Sequence, residues 1–376
     1  MLFRSFIISV IVISSGYLYP NQFPWNKSWA QLTLEKLTLR EKIAQMMVYR
    51  MNMHYLNYDS DEWKEIKDLI SSDGIGVLHI WFGETGSSLT MLNKIQSESK
   101  IPILVEADIE SGLGRRYPGA VTLPPMMAIA ATGNSKFAYE AGRISAEESR
   151  GVGIHFNLAP VVDVNNNPKN PIINTRSFGE HPDSVIKYSR EFIKGLHEHG
   201  MLTTAKHFPG HGNTGMDSHL QLPVLDDNLR QLVELELVPF QAVMKAGIDS
   251  IMTAHLLMRN LDASCPATLS PAVLQDLLRR QLKFEGLVVT DALVMRAITQ
   301  SYSAGEAAVM AFAAGADLIL MPENADDAIE ALCEALQSGQ IPMQRLHASQ
   351  ERRREALQKV GSSASKLTLK DSTIID

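Results

Sequence analysis

Residues 201–223 read MLTTAKHFPGHGNTGMDSHLQLP, and the character of the chain changes within this stretch. Its first part, Met201–Ala205, is largely apolar, and short apolar runs are typical of strands that are buried on both faces. From Lys206 onward the chain becomes a glycine-rich loop that carries three histidines, a lysine and an aspartate. Because a purely structural loop has little use for so many titratable groups, we interpret this stretch as a strand that ends in a functional site.

Seven other apolar runs occur along the chain, and helical patterns separate them. They are Met46–Met51, Gly76–Phe82, Ile103–Ala107, Phe156–Val164, Ser250–His255, Leu287–Thr290 and Leu318–Met321. Apolar strands that alternate with helices indicate a parallel sheet covered on both faces. Eight such units predict an α/β fold, a single-domain (β/α)8 TIM-type barrel, for which 376 residues is an ordinary length. A doubly wound open sheet is the structural alternative.

The composition is that of a globular protein, with 45% hydrophobic and 20% charged residues. The formal net charge is -7, and the sequence contains no basic stripe, which argues against a nucleic-acid partner. The two cysteines, Cys265 and Cys333, are expected to be free thiols, because no disulfide framework is evident.

The amino terminus has the pattern of a secretory signal. Arg4 precedes an apolar run over Phe6–Ile13, and small residues follow it. We therefore expect residues 1–20 to be a signal peptide or N-terminal anchor and the protein to be exported, periplasmic or extracellular; without a working leader it would be cytoplasmic. The apolar run is too short to predict stable membrane insertion. The folded domain is expected over residues 26–360, with a polar tail at 361–376.

Charged and imidazole side chains lie at or after the ends of five of the eight predicted strands. These residues are Asp108, Arg176, Lys206, His207, His255 and Asp291. In a parallel barrel the carboxyl ends of the strands form the active-site face. The recurrence of such residues at strand ends therefore predicts a site at that face, although His255 is expected to be a packed strand-end histidine outside it.

The residue types suit a two-step displacement. Asp217 is two residues from His219, so its carboxylate can orient the imidazole and raise its basicity. Asp291 follows an apolar strand that would hold its carboxylate rigidly, as a nucleophile requires. We predict that Asp291 attacks and that His219 acts first as general acid and then as general base. Most glycosidases use two carboxylates, and here a histidine replaces one of them.

Other side chains fit a polyhydroxylated or anionic substrate. Lys206, Arg116 and Arg176 are long hydrogen-bond donors, and Asp108 can accept hydrogen bonds from sugar hydroxyls. His211 could either take part in the site or only brace the loop, and the sequence leaves both readings open.

Three motifs resemble the β-N-acetylhexosaminidase branch of the family 3 glycoside hydrolases. They are KHFPGHG at 206–212 with DSH at 217–219, NTRSFG at 174–179, and VVTDAL at 288–293. The resemblance spans roughly residues 30–340. It implies a retaining β-N-acetylglucosaminidase on a barrel of the single-domain type, without a metal or other cofactor.

The resemblance also implies roles for individual residues. Asp291 resembles the nucleophile, His219 the acid/base and Asp217 its partner. The implied sugar-binding set is Asp108, Arg116, Arg176, Lys206 and His207. Leu113 departs from the arginine common in the peptidoglycan-recycling branch, and Asn213 departs from a frequent aspartate.

The expected substrate is a glycan with a terminal, non-reducing β-N-acetylglucosamine, from a peptidoglycan-derived or other glycoconjugate. A β-glucosidase or β-xylosidase of the same family is the alternative. Two further hypotheses are a metal-dependent barrel hydrolase and a non-catalytic glycan-binding module. Lys206 would be unfavourable beside a bound cation, and the presence of Asp217, His219 and Asp291 together argues against a non-catalytic module.

Overall fold

In the computed structural model the described residues are 36–360 except Asp227, and the side chains of Ser72 and Asp73 are not described. The expected leader at 1–20, the start of the expected domain at 26–35 and the expected tail at 361–376 lie outside these residues. Among the described residues, those from Leu37 to Val360 belong to one compact unit. No helix in the described part has the length and apolar character needed to cross a membrane.

Eight parallel strands form a barrel, and two short strands outside the barrel pair with each other. The strands in chain order are β1 (Met47–Met53), β2 (Val77–Gly83), β3 (Leu104–Ala107), β4 (Phe156–Asn157), β5 (Leu202–Phe208), β6 (Val224–Leu225), β7 (Ser250–Thr253), β8 (Leu257–Met258), β9 (Leu287–Val289) and β10 (Ile319–Leu320). The barrel strands pair in the order β10-β1-β2-β3-β4-β5-β7-β9, and β6 pairs with β8 separately. A parallel bridge between Val289 and Leu318 connects the two ends of that order. The predicted barrel is therefore confirmed, rather than an open sheet.

Helices connect the strands. They are α1 (Leu39–Ala44), α2 (Asp61–Asp68), α3 (Thr85–Glu98), α4 (Met126–Ala131), α5 (Lys136–Gly151), α6 (Pro182–Glu198), α7 (Leu229–Gln231), α8 (Leu237–Lys245), α9 (Arg296–Thr299), α10 (Ala304–Ala314), α11 (Ala325–Gln337) and α12 (Met343–Lys359). The local sequence determines where several of these helices begin or end. Ser303 and Glu306 form a reciprocal capping box at the start of α10. Gly200, with a φ of 76°, follows α6 in the left-handed region that glycine favours.

Two predicted elements differ from the structure. The run Phe156–Val164 pairs as a strand only over β4, because Pro160 has no N–H with which to continue the ladder. Beyond it, Val161 bridges Lys206 and keeps the chain on the barrel wall. The sequence pattern over Leu229–Ala246 predicts a helix, but the structure has a π-helical segment at Leu232–Glu236 within this range, just before Pro239.

The alternation of side chains along each strand determines which residues reach the site. The barrel interior is filled by an apolar cluster that includes Val48, Val77, Leu104, Leu202 and Val289. Successive side chains of a strand point to opposite faces, so every second residue along these strands points inward. Continuing this period toward the carboxyl ends reaches five residues: Arg50, Trp81, Asp108, Lys206 and Asp291. The same alternation therefore places apolar side chains inside the barrel and polar side chains at the carboxyl-terminal opening of the barrel.

Asp317, just before β10, is fully buried and anchors the last helix. Its carboxylate accepts bonds from Arg279 at 2.8 Å, Arg345 at 3.0 Å, Arg352 at 3.0 Å and Ser349 at 2.6 Å. Burial acts to raise the pKa of Asp317, but the three guanidinium groups outweigh it and hold the pKa below its usual value. Because Arg345, Ser349 and Arg352 lie on α12, this cluster ties α12 to the barrel.

Replacing Asp317 by asparagine is expected to lower the free energy of unfolding by about 3–5 kcal/mol, since three buried or half-buried guanidinium groups lose their counter-charge. A carboxylate with a lowered folded-state pKa contributes stability above its unfolded pKa of about 4 and loses it as pH falls through the folded value. The difference between wild type and variant in urea unfolding should therefore shrink in acid. Asp326→Asn is the control, because Asp326 pairs with Arg40 at 2.6 Å but is 61% exposed. Similar losses in both variants would contradict this account.

The cysteines behave as expected. Cys265 is buried, Cys333 is half-buried, and both are free thiols.

Candidate active site

A cavity of about 650 Å³ opens at the carboxyl ends of the barrel strands. The sequence-predicted residues that line it are Asp108, Arg116, Arg176, Lys206, His207, His219 and Asp291. Asp217 joins them through its hydrogen bond to His219. The structure therefore brings the whole predicted set together, although its members are spread from Asp108 to Asp291, about half of the chain.

Lys206 is at the centre of a charged network. Its Nζ is 2.6 Å from Asp108 Oδ1 and 2.7 Å from Glu110 Oε1. Glu110 also accepts two bonds from Arg176, at 2.8 and 2.9 Å. Arg116 lies 3.6 Å from Asp108 Oδ2. Glu110 is absent from the predicted set. It follows Asp108 at a spacing of two residues, and that spacing could have indicated that both carboxylates belong to the site.

Mutual pairing keeps this network charged. Burial acts to raise the pKa of Asp108, yet Lys206, His79 and Arg116 lower it to about 2. The pKa of Glu110 also lies well below its usual value, because Arg176 and Lys206 outweigh burial. Burial acts to lower the pKa of Lys206, but Asp108 and Glu110 raise it above its ordinary value. These groups therefore offer fixed ionic donors and acceptors at neutral pH.

His207 is oriented by Asp163, a fully buried carboxylate. His207 Nδ1 is 2.8 Å from Asp163 Oδ2, and the backbone N–H groups of His207 and His211 donate to the same side chain at 3.1 and 2.7 Å. With Nδ1 donating to Asp163, Nε2 is an acceptor, 3.5 Å from Arg176 Nη2. Asp163 was missed by sequence reasoning, although it is the acidic residue within the apolar run Phe156–Val164, beyond β4.

The Asp217–His219 pair has the geometry of a carboxylate-oriented imidazole. Asp217 Oδ1 accepts bonds of 2.8 Å from both the Nδ1 and the backbone N–H of His219. Burial acts to raise the pKa of Asp217, but the bonds from His219 lower it. The His219 side chain is 56% exposed, so its Nε2 remains available for proton exchange.

Asp291 follows β9 and reaches the same cavity. Its Oδ1 accepts a bond of 2.8 Å from the backbone N–H of Ala292. Burial acts to raise the pKa of Asp291, but His255, His207, the Ala292 N–H and Lys206 outweigh it and hold the pKa below its usual value. The carboxylate is therefore ionised at neutral pH, as a nucleophile must be.

His255 lies behind Asp291 and does not line the cavity, in keeping with the packing role expected for it. It is fully buried, and its Nε2 donates to the Ala292 carbonyl at 3.0 Å. Its Nδ1 is 2.8 Å from Thr268 Oγ1, and Thr268 contacts Thr253, whose hydroxyl oxygen accepts the backbone N–H of Asp291 at 3.3 Å. The histidine therefore fixes the backbone that carries Asp291.

His211 braces the loop. The side chain is 1% exposed, and burial lowers its pKa to about 4, with the neighbouring His207 acting in the same direction. The Thr214 hydroxyl donates to the His211 carbonyl at 3.0 Å, so His211 Nδ1 donates to Thr214 Oγ1 at 2.8 Å. The Ser218 hydroxyl then donates to Nε2 at 3.1 Å. Because Ser218 lies between Asp217 and His219, this bond joins the buried histidine to the exposed pair.

Replacing Ser218 by alanine is expected to loosen the Asp217–His219 pair. Loss of one hydrogen bond, about 1–1.5 kcal/mol, should lower kcat/KM by about tenfold for substrates with poor leaving groups. Substrates with good leaving groups need less protonation and should be affected less. The slope of log kcat/KM against leaving-group pKa measures this difference. Ser97→Ala, an exposed serine on α3, is the control, and an equal loss across all leaving groups would contradict a role in positioning the acid.

Among the residues that the structure describes, no group of three or more histidine, cysteine, aspartate or glutamate side chains could hold a metal ion. The positively charged Nζ of Lys206 lies between Asp108 and Glu110.

The fold and the cavity define a (β/α)8 barrel with an enzyme-like site at the carboxyl ends of its strands, where a carboxylate faces the same space as an aspartate-oriented histidine. Residues 38–355 match the "Glycosyl hydrolase family 3 N terminal domain". The chain therefore belongs to glycoside hydrolase family 3.

Individual relatives agree with this membership. "Beta-hexosaminidase A" of Pseudoalteromonas piscicida is 33% identical over 345 residues, which covers 82% of this chain and 58% of the relative. "Beta-N-acetylglucosaminidase/beta-glucosidase" of Cellulomonas fimi is 27% identical, over 85% of this chain and 57% of the relative. The chain thus spans less than two thirds of the length of these two relatives. The solved structure of a family 3 beta-N-acetylglucosaminidase from Paenibacillus sp. str. FPU-7 has a TM-score of 0.81 and 36% identity, over 90% of this chain and 68% of that one.

Proposed function

We propose that the protein is a retaining glycoside hydrolase that removes terminal, non-reducing β-N-acetylglucosamine from a glycoconjugate, such as a peptidoglycan-derived fragment. The observation that carries the proposal is that an ionised Asp291 and the exposed imidazole of the Asp217–His219 pair line one cavity. The names of relatives at 33% identity and of the Paenibacillus structure support the hexosaminidase branch.

In the first step an Asp291 carboxylate oxygen attacks the anomeric carbon, and the bond from that carbon to the leaving oxygen breaks. His219, protonated and held by Asp217, gives its proton to the leaving oxygen. The product of this step is a covalent glycosyl ester of Asp291.

In the second step the neutral His219 takes a proton from water, and the water oxygen attacks the anomeric carbon. The ester bond breaks, Asp291 recovers its carboxylate, and His219 is again protonated. The configuration at the anomeric carbon is retained, because two displacements occur in sequence.

The charged network binds the sugar. Asp108 and His207 Nε2 can accept hydrogen bonds from hydroxyl groups, and Lys206, Arg176 and Arg116 can donate them. Because Lys206 is 2% exposed and paired with two carboxylates, it is held in one position and orients the sugar toward Asp291.

Trapping the intermediate tests the proposal. A fluorinated N-acetylglucosaminyl substrate with a good leaving group should slow the second step and leave a sugar-sized mass on the peptide that contains Asp291.

Comparison of aryl β-N-acetylglucosaminide with aryl β-glucoside separates the proposed branch from the β-glucosidase alternative. Faster hydrolysis of the glucoside, or an adduct on another residue, would overturn the assignment. Activity after chelation of metals should be unchanged, which separates the proposal from a metal-dependent hydrolase.

We further propose that residues 1–20 direct export. The basic residue Arg4 followed by the apolar run Phe6–Ile13 supports this. Fractionation of cells that express the tagged full chain should place it outside the cytoplasm, and deletion of residues 1–20 should retain it inside. Equal distribution of the two forms would contradict a signal role.

A further inference from the structure

A histidine and a glutamate form a buried pair inside the barrel, next to the candidate site. His79 on β2 and Glu106 on β3 are register partners in neighbouring strands, and both are fully buried. His79 Nδ1 lies 3.2 Å from Glu106 Oε1, which is within hydrogen-bond distance. Neither side chain lines the cavity. The pair therefore belongs to the barrel interior rather than to the surface that meets a substrate.

The alternation along the two strands places this pair between the apolar core and the ionic network. Two positions before His79 and Glu106 are Val77 and Leu104, which belong to the apolar cluster inside the barrel. Two positions after Glu106 is Asp108, which lines the cavity. Because every second residue of a strand lies on the same face, the pair forms the layer directly beneath Asp108.

Stability does not account for polar groups in this layer. Among the described residues, Glu106 Oε2 and His79 Nε2 have no hydrogen-bond partner. Burial of such groups opposes folding, and apolar side chains of similar volume are often as stabilising as a buried polar pair or more so. The neighbouring layer, with Val77 and Leu104, is apolar in this way. A role toward the site explains the polar pair better than a role in packing.

The protonation state of the pair follows from its burial. Burial raises the pKa of Glu106, the hydrogen bond and charge of His79 act to lower it, and Asp108 and Lys206 act in opposite directions. A lone carboxylate or a lone imidazolium is unfavourable in such surroundings, so the net-neutral pair is preferred. In that state one proton lies between Glu106 Oε1 and His79 Nδ1, and Nε2 carries a hydrogen whichever of the two atoms holds the shared proton.

The Nε2 atom of His79 lies on the side of Asp108. It is 3.8 Å from Asp108 Oδ2, and Arg116 approaches the same oxygen at 3.6 Å. Lys206 holds the other oxygen, Oδ1, at 2.6 Å. An N–H group attracts a carboxylate at this distance, and the low dielectric of the interior strengthens the attraction. The carboxylate of Asp108 is therefore held by His79 from within the barrel as well as by the two basic groups.

We propose that His79 and Glu106 are positioning residues, and that they present the Nε2 hydrogen of His79 to Asp108 and hold this sugar-binding carboxylate in its productive orientation. The inference rests on the proposed function, in which Asp108 accepts a hydrogen bond from a sugar hydroxyl. Because neither member of the pair lines the cavity, its effect on turnover has to pass through Asp108.

The main test is the variant His79→Leu/Glu106→Leu of the full chain. It removes both polar groups together, so the urea midpoint of unfolding should stay at or above that of wild type. For an aryl β-N-acetylglucosaminide with a good leaving group, kcat/KM should nevertheless fall about tenfold, the scale of a lost contact to a charged group. In the Asp108→Asn background the same two substitutions should change kcat/KM by less than about twofold, because the charge through which they act is already gone.

Two further variants separate positioning from structure. In Glu106→Gln the amide can donate to His79 Nδ1 as a protonated carboxyl does, so kcat/KM should stay within about threefold of wild type. A loss as large as that of the double variant would overturn the proposed arrangement of protons. His197→Leu is the matched control, because His197 Nε2 lies 2.7 Å from Asp249 Oδ2 but does not line the cavity. Any loss in this control should be the same in wild type and in the Asp108→Asn background.

Nitrogen-15 NMR of histidine-labelled protein tests the tautomer without any turnover. The His79 signals are identified by their absence from the double variant. At pH 7 the Nε2 atom of His79 should have the chemical shift of a protonated nitrogen, and this signal should move in Asp108→Asn, because the charge next to it is removed. An Nε2 atom without a hydrogen would overturn the proposal.

Failure of the positioning role and failure of the proposed function give different results. Equal losses with and without the Asp108 carboxylate, or wild-type rates in the double variant, overturn the positioning role and leave the proposed function intact. If an aryl β-glucoside is the better substrate, the proposed branch fails, and the same comparison is made with the glucoside. If neither glycoside is turned over, the proposed function fails, and the NMR measurement alone decides whether His79 presents a hydrogen to Asp108.

Discussion

Replacing Asp291 by alanine is expected to lower kcat/KM for an aryl β-N-acetylglucosaminide by about 10⁴-fold or more, the scale seen when a covalent nucleophile is removed from other hydrolases. The physical reason is that neither step of the displacement can proceed without the carboxylate. The loss should be similar for good and poor leaving groups, because the missing group acts on the anomeric carbon. Steady-state rates and the absence of a glycosyl adduct in mass spectrometry measure it.

The matched control for this substitution is Asp226→Ala. Asp226 pairs with Arg259 at 2.8 Å, is 68% exposed and lies outside the cavity. The control should retain wild-type rates. If Asp291→Ala kept more than a tenth of the wild-type rate with the fold intact, Asp291 could not be the nucleophile.

Replacing His219 by alanine is expected to give an effect that depends on the leaving group. General acid catalysis contributes about 10²–10⁴-fold, so kcat/KM should fall by that factor for poor leaving groups and far less for good ones. The second step also loses its base. A glycosyl-Asp291 intermediate should therefore accumulate with an activated substrate and appear as an increase in protein mass.

Azide can test whether the His219→Ala variant has lost a general base. It attacks the anomeric carbon without help from a base, so it should restore turnover of activated substrates in His219→Ala and yield a β-glycosyl azide. His54→Ala, an exposed histidine 3.6 Å from Glu62, is the control and should show neither the leaving-group dependence nor the rescue. A uniform loss without azide rescue would exclude His219 as the acid/base.

Much of the fold was predictable because its signals are local. The eight apolar runs predicted eight strands, and the barrel contains them in the expected order. The fourth run shows the limit of this reasoning, since its apolar character extends to Val164 while its ladder ends at Asn157. Pro160 was visible in the sequence and marks the interruption of the regular ladder before the isolated bridge between Val161 and Lys206.

The sequence predicted which residues belong to the candidate site, but not which of them contact one another. The motifs pointed to Asp291, His219 and Lys206, and all three line one cavity. Asp163 and Glu110 were missed, because a carboxylate in a loop has many possible partners and nothing local shows which one it meets. The same holds for His211, whose bond to Ser218 depends on how the loop folds back.

The sequence by itself determined the order of strands and helices, the barrel class and the identity of the residues at the strand ends, because periodicity and motifs are properties of neighbouring positions. Only the tertiary structure decided which charges are paired. Lys206 meets Asp108 across 98 positions, and Arg176 meets Glu110 across 66. Those contacts depend on how the strands close into a barrel, because closure brings together residues that are far apart in the sequence.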